Sequence, residues 1–278
     1  YTFPGFDNSQ TVGTFQNYLP SDPRATVAAR WWNVNLTSVE YSGAFTGMPD
    51  FSLWTAQQSG PPTVWMATSD GITAEDTFFT TENSHSHINW GFTQLGVYRI
   101  TFRPSARLAA SGERVENTEH AVNFAIGTLA TWRAEHFSGP DLVDPAIGTS
   151  MADPDEDGSA NLLEYAFNMD PLTPSVARLT PGSGTSGLPH IRIEDSGDSA
   201  HLTIEFIRRR ASTNPQIQYL PEFSGDLTSD DWDSPDTETV TPINDEWERV
   251  LATDPIPLDA AASRFARVRI LLLETLDY

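Results

Sequence analysis

The sequence contains no cysteine and no lysine. Without cysteine there is no disulfide framework, no thiolate metal site and no cysteine nucleophile. All 16 basic residues are arginine, and 38 acidic residues oppose them, for a net charge of −22. A chain this acidic repels phosphate backbones and anionic lipid, so nucleic acid is excluded as a natural partner. Long apolar runs are missing too. None is longer than the four residues of Ile270–Leu273, far too short to cross a bilayer, and no membrane span is expected. The chain does not begin with Met, and no charged start leads into an apolar stretch. The expectation is a mature, exported protein at the cell surface or outside the cell, its targeting signal removed. Catalytic signatures are equally scarce. There is no G-x-S-x-G elbow and no H-E-x-x-H, and the glycine-rich GSGTSG (182–187) is a turn without the flanking strand and helix a phosphate cradle needs, so no enzyme is expected.

What is present points to β structure. Fifteen Phe, 8 Trp and 7 Tyr can fill packed cores, while 20 Pro and 18 Gly suit short strands joined by turns. In GVYRITF (96–102), Tyr98, Ile100 and Phe102 alternate with Val97, Arg99 and Thr101, the period of a half-buried strand. HAVNFAI (120–126) repeats it with Val122, Phe124 and Ile126, and the polar ASGERVEN between them suits a hairpin-like connection. ARWWNVNLTSVEY (29–41) is a further strand. TLATWRAEHF (128–137) changes to helical spacing. HIRIED (190–195), HLTIEFIRRR (201–210), IQYLPEF (217–223) and RFARVRILLLE (264–274) return to strands. Charge also divides the chain: residues 1–127 hold 11 acids and 6 Arg, residues 128–278 hold 27 and 10. The fold class read from this is mainly β, as two β-sandwich-like domains. Residues 1–127 form the first, 128–177 a helical linker with an EF-hand-like calcium loop and one exit helix, and 178–278 a smaller sandwich.

The densest chemistry is DPDEDGSANLLE, residues 153–164. Calcium takes six to eight hard oxygen ligands, and a tight loop offers them from alternate residues. Asp153, Asp155 and Asp157 hold positions 1, 3 and 5, and Gly158 permits the sharp turn at 6. Ser159 would give its backbone carbonyl at 7, Asn161 acts at 9, and Glu164 closes the shell at 12. Carboxylates packed this closely repel one another unless a cation neutralises them. Gly139, Pro140, Pro145 and Gly148 precede the loop, so a helix is expected only on its exit side.

Trp132 and Phe137, ADPDEDGSANLLEYAFNMDPLTP, LTIEFIRRR, Asp226–Leu227 and Trp232 together resemble the C-terminal region of large exported bacterial proteins, "DPDGDG-x2-NLLEYA-x-G-x-DPL" followed by a small β domain. The resemblance covers roughly 128–278. Glu156 and Asn168 stand where that pattern usually has Gly. It implies export and a calcium-stiffened connector, not an activity.

A second stretch, HSHINWGFTQLGVYRITF (85–102), places His85 and His87 on one strand face, where two imidazoles can hold Zn, Mn or Cu, with His120 as a possible third ligand. With PDFSLW, VWMATSDG and VNFAIG, it resembles the bacterial surface-anchored protein repeat, or choice-of-anchor module, over roughly 40–127. That resemblance implies a surface protein without a catalytic role.

The leading expectation is therefore a calcium-stabilised structural or interaction protein whose partners are other surface proteins or copies of itself. Three alternatives stand beside it. RVRILLLETLDY and YTFPGF could each add a strand to a neighbour, making a filament or layer. Trp31, Trp32, Trp54, Trp65 and Trp90 could stack on glycans, as a carbohydrate-binding module or glycan-active enzyme, although such residues are more often sandwich core. The histidines could capture a transition metal.

Overall fold

The computed structural model describes residues 5–7, 13–195, 197, 199–228 and 230–273. The chain divides into two compact units, 1–126 and 127–278. It is mainly β, and every pairing between named strands is antiparallel. Among the described residues no helix is long and apolar enough to cross a membrane.

The first unit runs β1 (Gly5–Asp7), β2 (Asn17–Tyr18), β3 (Ala29–Ser42), β4 (Phe51–Thr55), β5 (Thr63–Ala67), β6 (Thr77–Thr81), β7 (His85–His87), β8 (Asn89–Phe92), β9 (Gly96–Arg107), β10 (Arg114–Glu116) and β11 (His120–Ile126). Its axis is the long β3–β9 pair. The far edge of β9 carries β11 and β10, and the far edge of β3 carries β6 and β2. A second sheet, β5–β4–β8, supplies the opposing layer of a sandwich-like core. Val34, Leu36, Phe51, Leu53, Met66, Phe78, Tyr98, Ile100 and Phe102 meet there. Gly96, at φ +144, is required: a Cβ would fall 2.6 Å from the Tyr41 ring and 2.8 Å from the Ser42 carbonyl.

Two strands differ from their alternating pattern. Val97 is fully buried along with Tyr98, because β9 is central and packed on both faces. Val122 is 44% exposed, because β11 lies at the sheet edge, where only Phe124 and Ile126 reach the core.

In the second unit, α1 (Thr128–His136) and α2 (Asn161–Phe167) precede β12 (His190–Asp195), β13 (Ala200–Arg209), β14 (Ile217–Ser224), β15 (Thr237–Pro242), β16 (Trp247–Pro257) and β17 (Phe265–Leu272). A four-stranded sheet, β12–β13–β16–β15, accompanies the two-stranded β14–β17 sheet. The stretch expected as a linker is part of this unit. Leu129 and Trp132 of α1 and Leu162, Tyr165 and Phe167 of α2 share one core with Phe206, Ile217, Tyr219 and Val250. Side chains this apolar are too costly to leave in a solvated connector. Tyr165 Oη donates to Pro215 O and Tyr219 Oη to Ala166 O, tying α2 to the strands.

Strands β15 and β16 carry no clear sequence signal. All of β15 is exposed, and Asp254 interrupts β16. Asp254 is nevertheless fully buried, because Arg264 donates two hydrogen bonds to it. The segments expected to reach a neighbouring molecule pair within their own units. β17 runs the length of β14, and β1 pairs with β7. Residues 1–4 and 274–278 lie outside the described residues.

Candidate metal centre

The acidic dodecamer lies in the second unit, between a series of turns and α2. No helix directly precedes it, as its glycines and prolines require: a single 3-10 turn at Gly139–Leu142 is followed only by turns, and α2 begins at Asn161. The loop is closed at its base by backbone bonds from the first turn of α2, Asn161 N to Ala152 O at 2.8 Å and Leu162 N to Ser150 O at 2.9 Å. These satisfy two of the amides that every helix N-terminus leaves free.

Within the loop the carboxylates turn inward. One oxygen from each of Asp153, Asp155 and Asp157 lies within 4.8 Å of the others. Backbone amides help hold them: Gly158 N donates to Asp153, Ser159 N to Asp157, and Ser175 N to the other Asp157 oxygen at 2.7 Å. The Ser175 amide, reinforced by Ser159, keeps the Asp157 carboxyl below its ordinary range. Asp155 is displaced the other way by burial, with the charges of Asp157 and Asp153 adding to it.

Positions 9 and 12 decide what the loop can do. Asn161 is fully buried, and its Nδ2 donates to Ile147 O and Thr149 O, each at 2.8 Å. Only the NH₂ group can donate to carbonyls, so Oδ1 is fixed in the remaining direction. It has no partner. Glu164 is also fully buried, and neither carboxylate oxygen has a hydrogen-bond partner; Asp155 Oδ2 is in the same condition. Burying a carboxylate without donors is strongly unfavourable. Here burial, followed by repulsion from Asp155, Asp157 and Asp153, pushes Glu164 up to about 8. Four unpartnered oxygens, on Asp155, Asn161 and Glu164, together with the carboxylates of Asp153 and Asp157, are donors of the kind a hard cation takes.

Left-handed backbone occurs at Glu156 (φ 61) and Asn168 (φ 55), the two positions where the resembled pattern has Gly. Asn tolerates that conformation readily, and Glu less so.

One residue the sequence reading passed over supports the whole arrangement. Arg133 of α1 is 1% exposed, and its guanidinium donates to Leu142 O and Gly148 O. It thereby holds the segment whose Ile147 and Thr149 carbonyls orient Asn161. Its signal was present: Arg133 lies four residues after Leu129, on the buried face of α1.

The other candidates are not assembled. His85 and His87 are exposed on β7, with ring centroids 4.7 Å apart, but His120 does not complete a three-ligand group with them. Among the described residues the only such group is the aspartate triple. The reason is topological: β7 pairs with β1, whereas His120 starts β11, opposite Phe102 of β9. Three of the five candidate glycan-stacking tryptophans are committed to the core. Trp32, Trp65 and Trp90 pack against the aromatic core through Phe6, Phe78, Phe102 and Phe124. In comparisons with known proteins, no family model matches the chain and no curated protein matches it in sequence.

Proposed function

We propose that the chain is a non-enzymatic, calcium-stabilised structural or interaction protein of the cell surface. One observation carries the calcium reading: Glu164 is fully buried with both carboxylate oxygens unpartnered, at the position where such a loop closes its shell. Asp153, Asp155 and Asp157 would supply side-chain oxygens, Ser159 its carbonyl, Asn161 its Oδ1, and Glu164 both oxygens. The ion would offset the burial cost and the repulsion that otherwise keep Glu164 protonated. Its role is structural, since the loop leads into α2, whose Leu162, Tyr165 and Phe167 belong to the second unit's core. Export and surface placement are supported by the two resemblances in the sequence, and the reading that nucleic acid is not a partner by the net charge of −22.

The test is calorimetry of the full chain in millimolar calcium and in EGTA. The unfolding transition of residues 127–278 is expected to fall on chelation while that of the first unit stays in place. Identical melts in the two buffers would remove calcium from the reading.

A further inference from the structure

A cleft of about 820 Å³ opens on the outer face of the first unit's main sheet, away from the calcium loop in sequence and in unit. Its floor is Asn33, Asn35, Thr77 and Phe79, side chains from β3 and β6 that face away from the apolar core. The segment from Tyr18 to Arg24 forms one wall, and Arg107 and Arg114 form another.

Three features of this cleft require explanation. The first is its polar floor. A sheet face beneath a covering segment is ordinarily apolar. Here Asn35 Nδ2 donates to Thr77 Oγ1 at 2.8 Å, and the buried Ser105 Oγ donates to Asn35 Oδ1 at 3.0 Å. Asn33 Nδ2 reaches Tyr18 Oη at 3.4 Å, while its buried Oδ1 has no partner. The second is the pair of aromatic rings, Phe79 and Tyr18, set beside those amides. The third is electrostatic. Arg107 and Arg114 are directly opposite each other across β9 and β10, an arrangement of like charges that opposes pairing. Arg114 has Glu116 at 3.0 Å, but Arg107 has only the Gly112 carbonyl and the Tyr18 ring, with no carboxylate partner among the described residues. Arg24 is different, being occupied by Asp22 and three backbone carbonyls.

From these we infer that the cleft binds an acidic saccharide, its hydroxyls on the amide floor, its ring face against Phe79 or Tyr18, and its carboxylate at Arg107. Planar amides and hydroxyls satisfy sugar hydroxyls, aromatic faces cover the C–H surface of the ring, and a guanidinium forks onto a carboxylate. Glu75 on another wall disfavours a carboxylate beside it, which directs the acid group of the bound sugar residue toward Arg107. This site is separate from a tryptophan platform: it uses none of the core-packed indoles.

The experiment is isothermal titration of the full chain with a galacturonate tetramer and with a galactose tetramer, in calcium and in EGTA. The acidic tetramer is expected to bind about tenfold or more tightly than the neutral one, the effect of one charge-assisted hydrogen-bonded pair. Arg107→Gln, at an exposed position and with an unchanged melt, is expected to remove that preference. Asn33→Leu is expected to weaken both ligands. Equal affinity for the two tetramers, binding untouched by R107Q, binding that disappears in EGTA because calcium bridges the acid groups, or no binding of either ligand would each overturn the inference.

Discussion

Replacing Glu164 with Gln reverses sign between calcium and EGTA. In the metal-free protein Glu164 holds its proton up to about 8, whereas in the unfolded chain it ionises near 4.5. Below 4.5 both states are protonated and no penalty exists. Between about 4.5 and about 8 the unfolded state gains by ionising while the folded state cannot, so stability falls as pH rises through that window. At pH 7 this difference is about 3 kcal/mol, at roughly 1.4 kcal/mol for each pH unit above the unfolded value. Neutral Glu and Gln leave similar buried groups unpaired, so the protonation cost is the main difference between them. In EGTA, E164Q is therefore expected to melt higher than the parent, by roughly 6–12 °C for a unit of this size. In calcium the order inverts. The parent gains about 4.1 kcal/mol at a thousandfold excess of ion over its dissociation constant, more than the protonation cost, while the variant has lost the charged, bidentate ligand and gains little. Scanning calorimetry in both buffers reads this directly. A variant that melts lower than the parent in EGTA, or that responds to calcium as the parent does, would refute the placement of Glu164 in the ion's shell.

Three further outcomes follow from the same structure. Arg133→Met leaves the Leu142 and Gly148 carbonyls without their buried donor and is expected to destabilise the second unit by about 2–4 kcal/mol, with weaker calcium binding; denaturant titration showing a loss below about 1 kcal/mol would contradict its role. Glu205 is held low, since the Gly182 amide, Arg249 and Arg192 overcome the upward push of burial. Its stabilisation is present above about 4.5 and is lost as pH falls through its lowered value, so Glu205→Gln is expected to flatten the acid limb of the stability curve; an unchanged acid limb would count against the network. Zinc titration is expected to show no tight site, because only His85 and His87 adjoin each other; a stoichiometric submicromolar isotherm, lost in the His85→Ala/His87→Ala double variant, would restore the transition-metal reading.

Period and composition carried the elements whose side chains act locally. The alternation in 96–102, the helical spacing after Thr128, and the turn residues before Asp153 each depend on near neighbours, and each formed the element expected. The ligand spacing of 153–164 was legible for the same reason, because a twelve-residue loop brings its own positions together. No comparable signal exists where stability depends on distant partners. β16 reads poorly as a strand because Asp254 lies within it, and Arg264, from the turn before β17, together with the Ile256 amide makes that residue tolerable inside. His120 looked equivalent to His85 and His87, yet strand pairing sends it to another sheet.

The chain alone thus established a β-rich, acidic, cysteine-free protein with one loop of closely spaced carboxylates. Tertiary structure alone decided that Asn161 Oδ1 and both Glu164 oxygens are buried without partners, that Arg133 is buried and bonded to the segment before the loop, and that Arg107 lines a polar cleft with no carboxylate partner among the described residues. The physical reason is that burial and hydrogen-bond satisfaction are properties of surfaces brought together from far apart in the sequence, whereas periodicity and loop spacing are written along it.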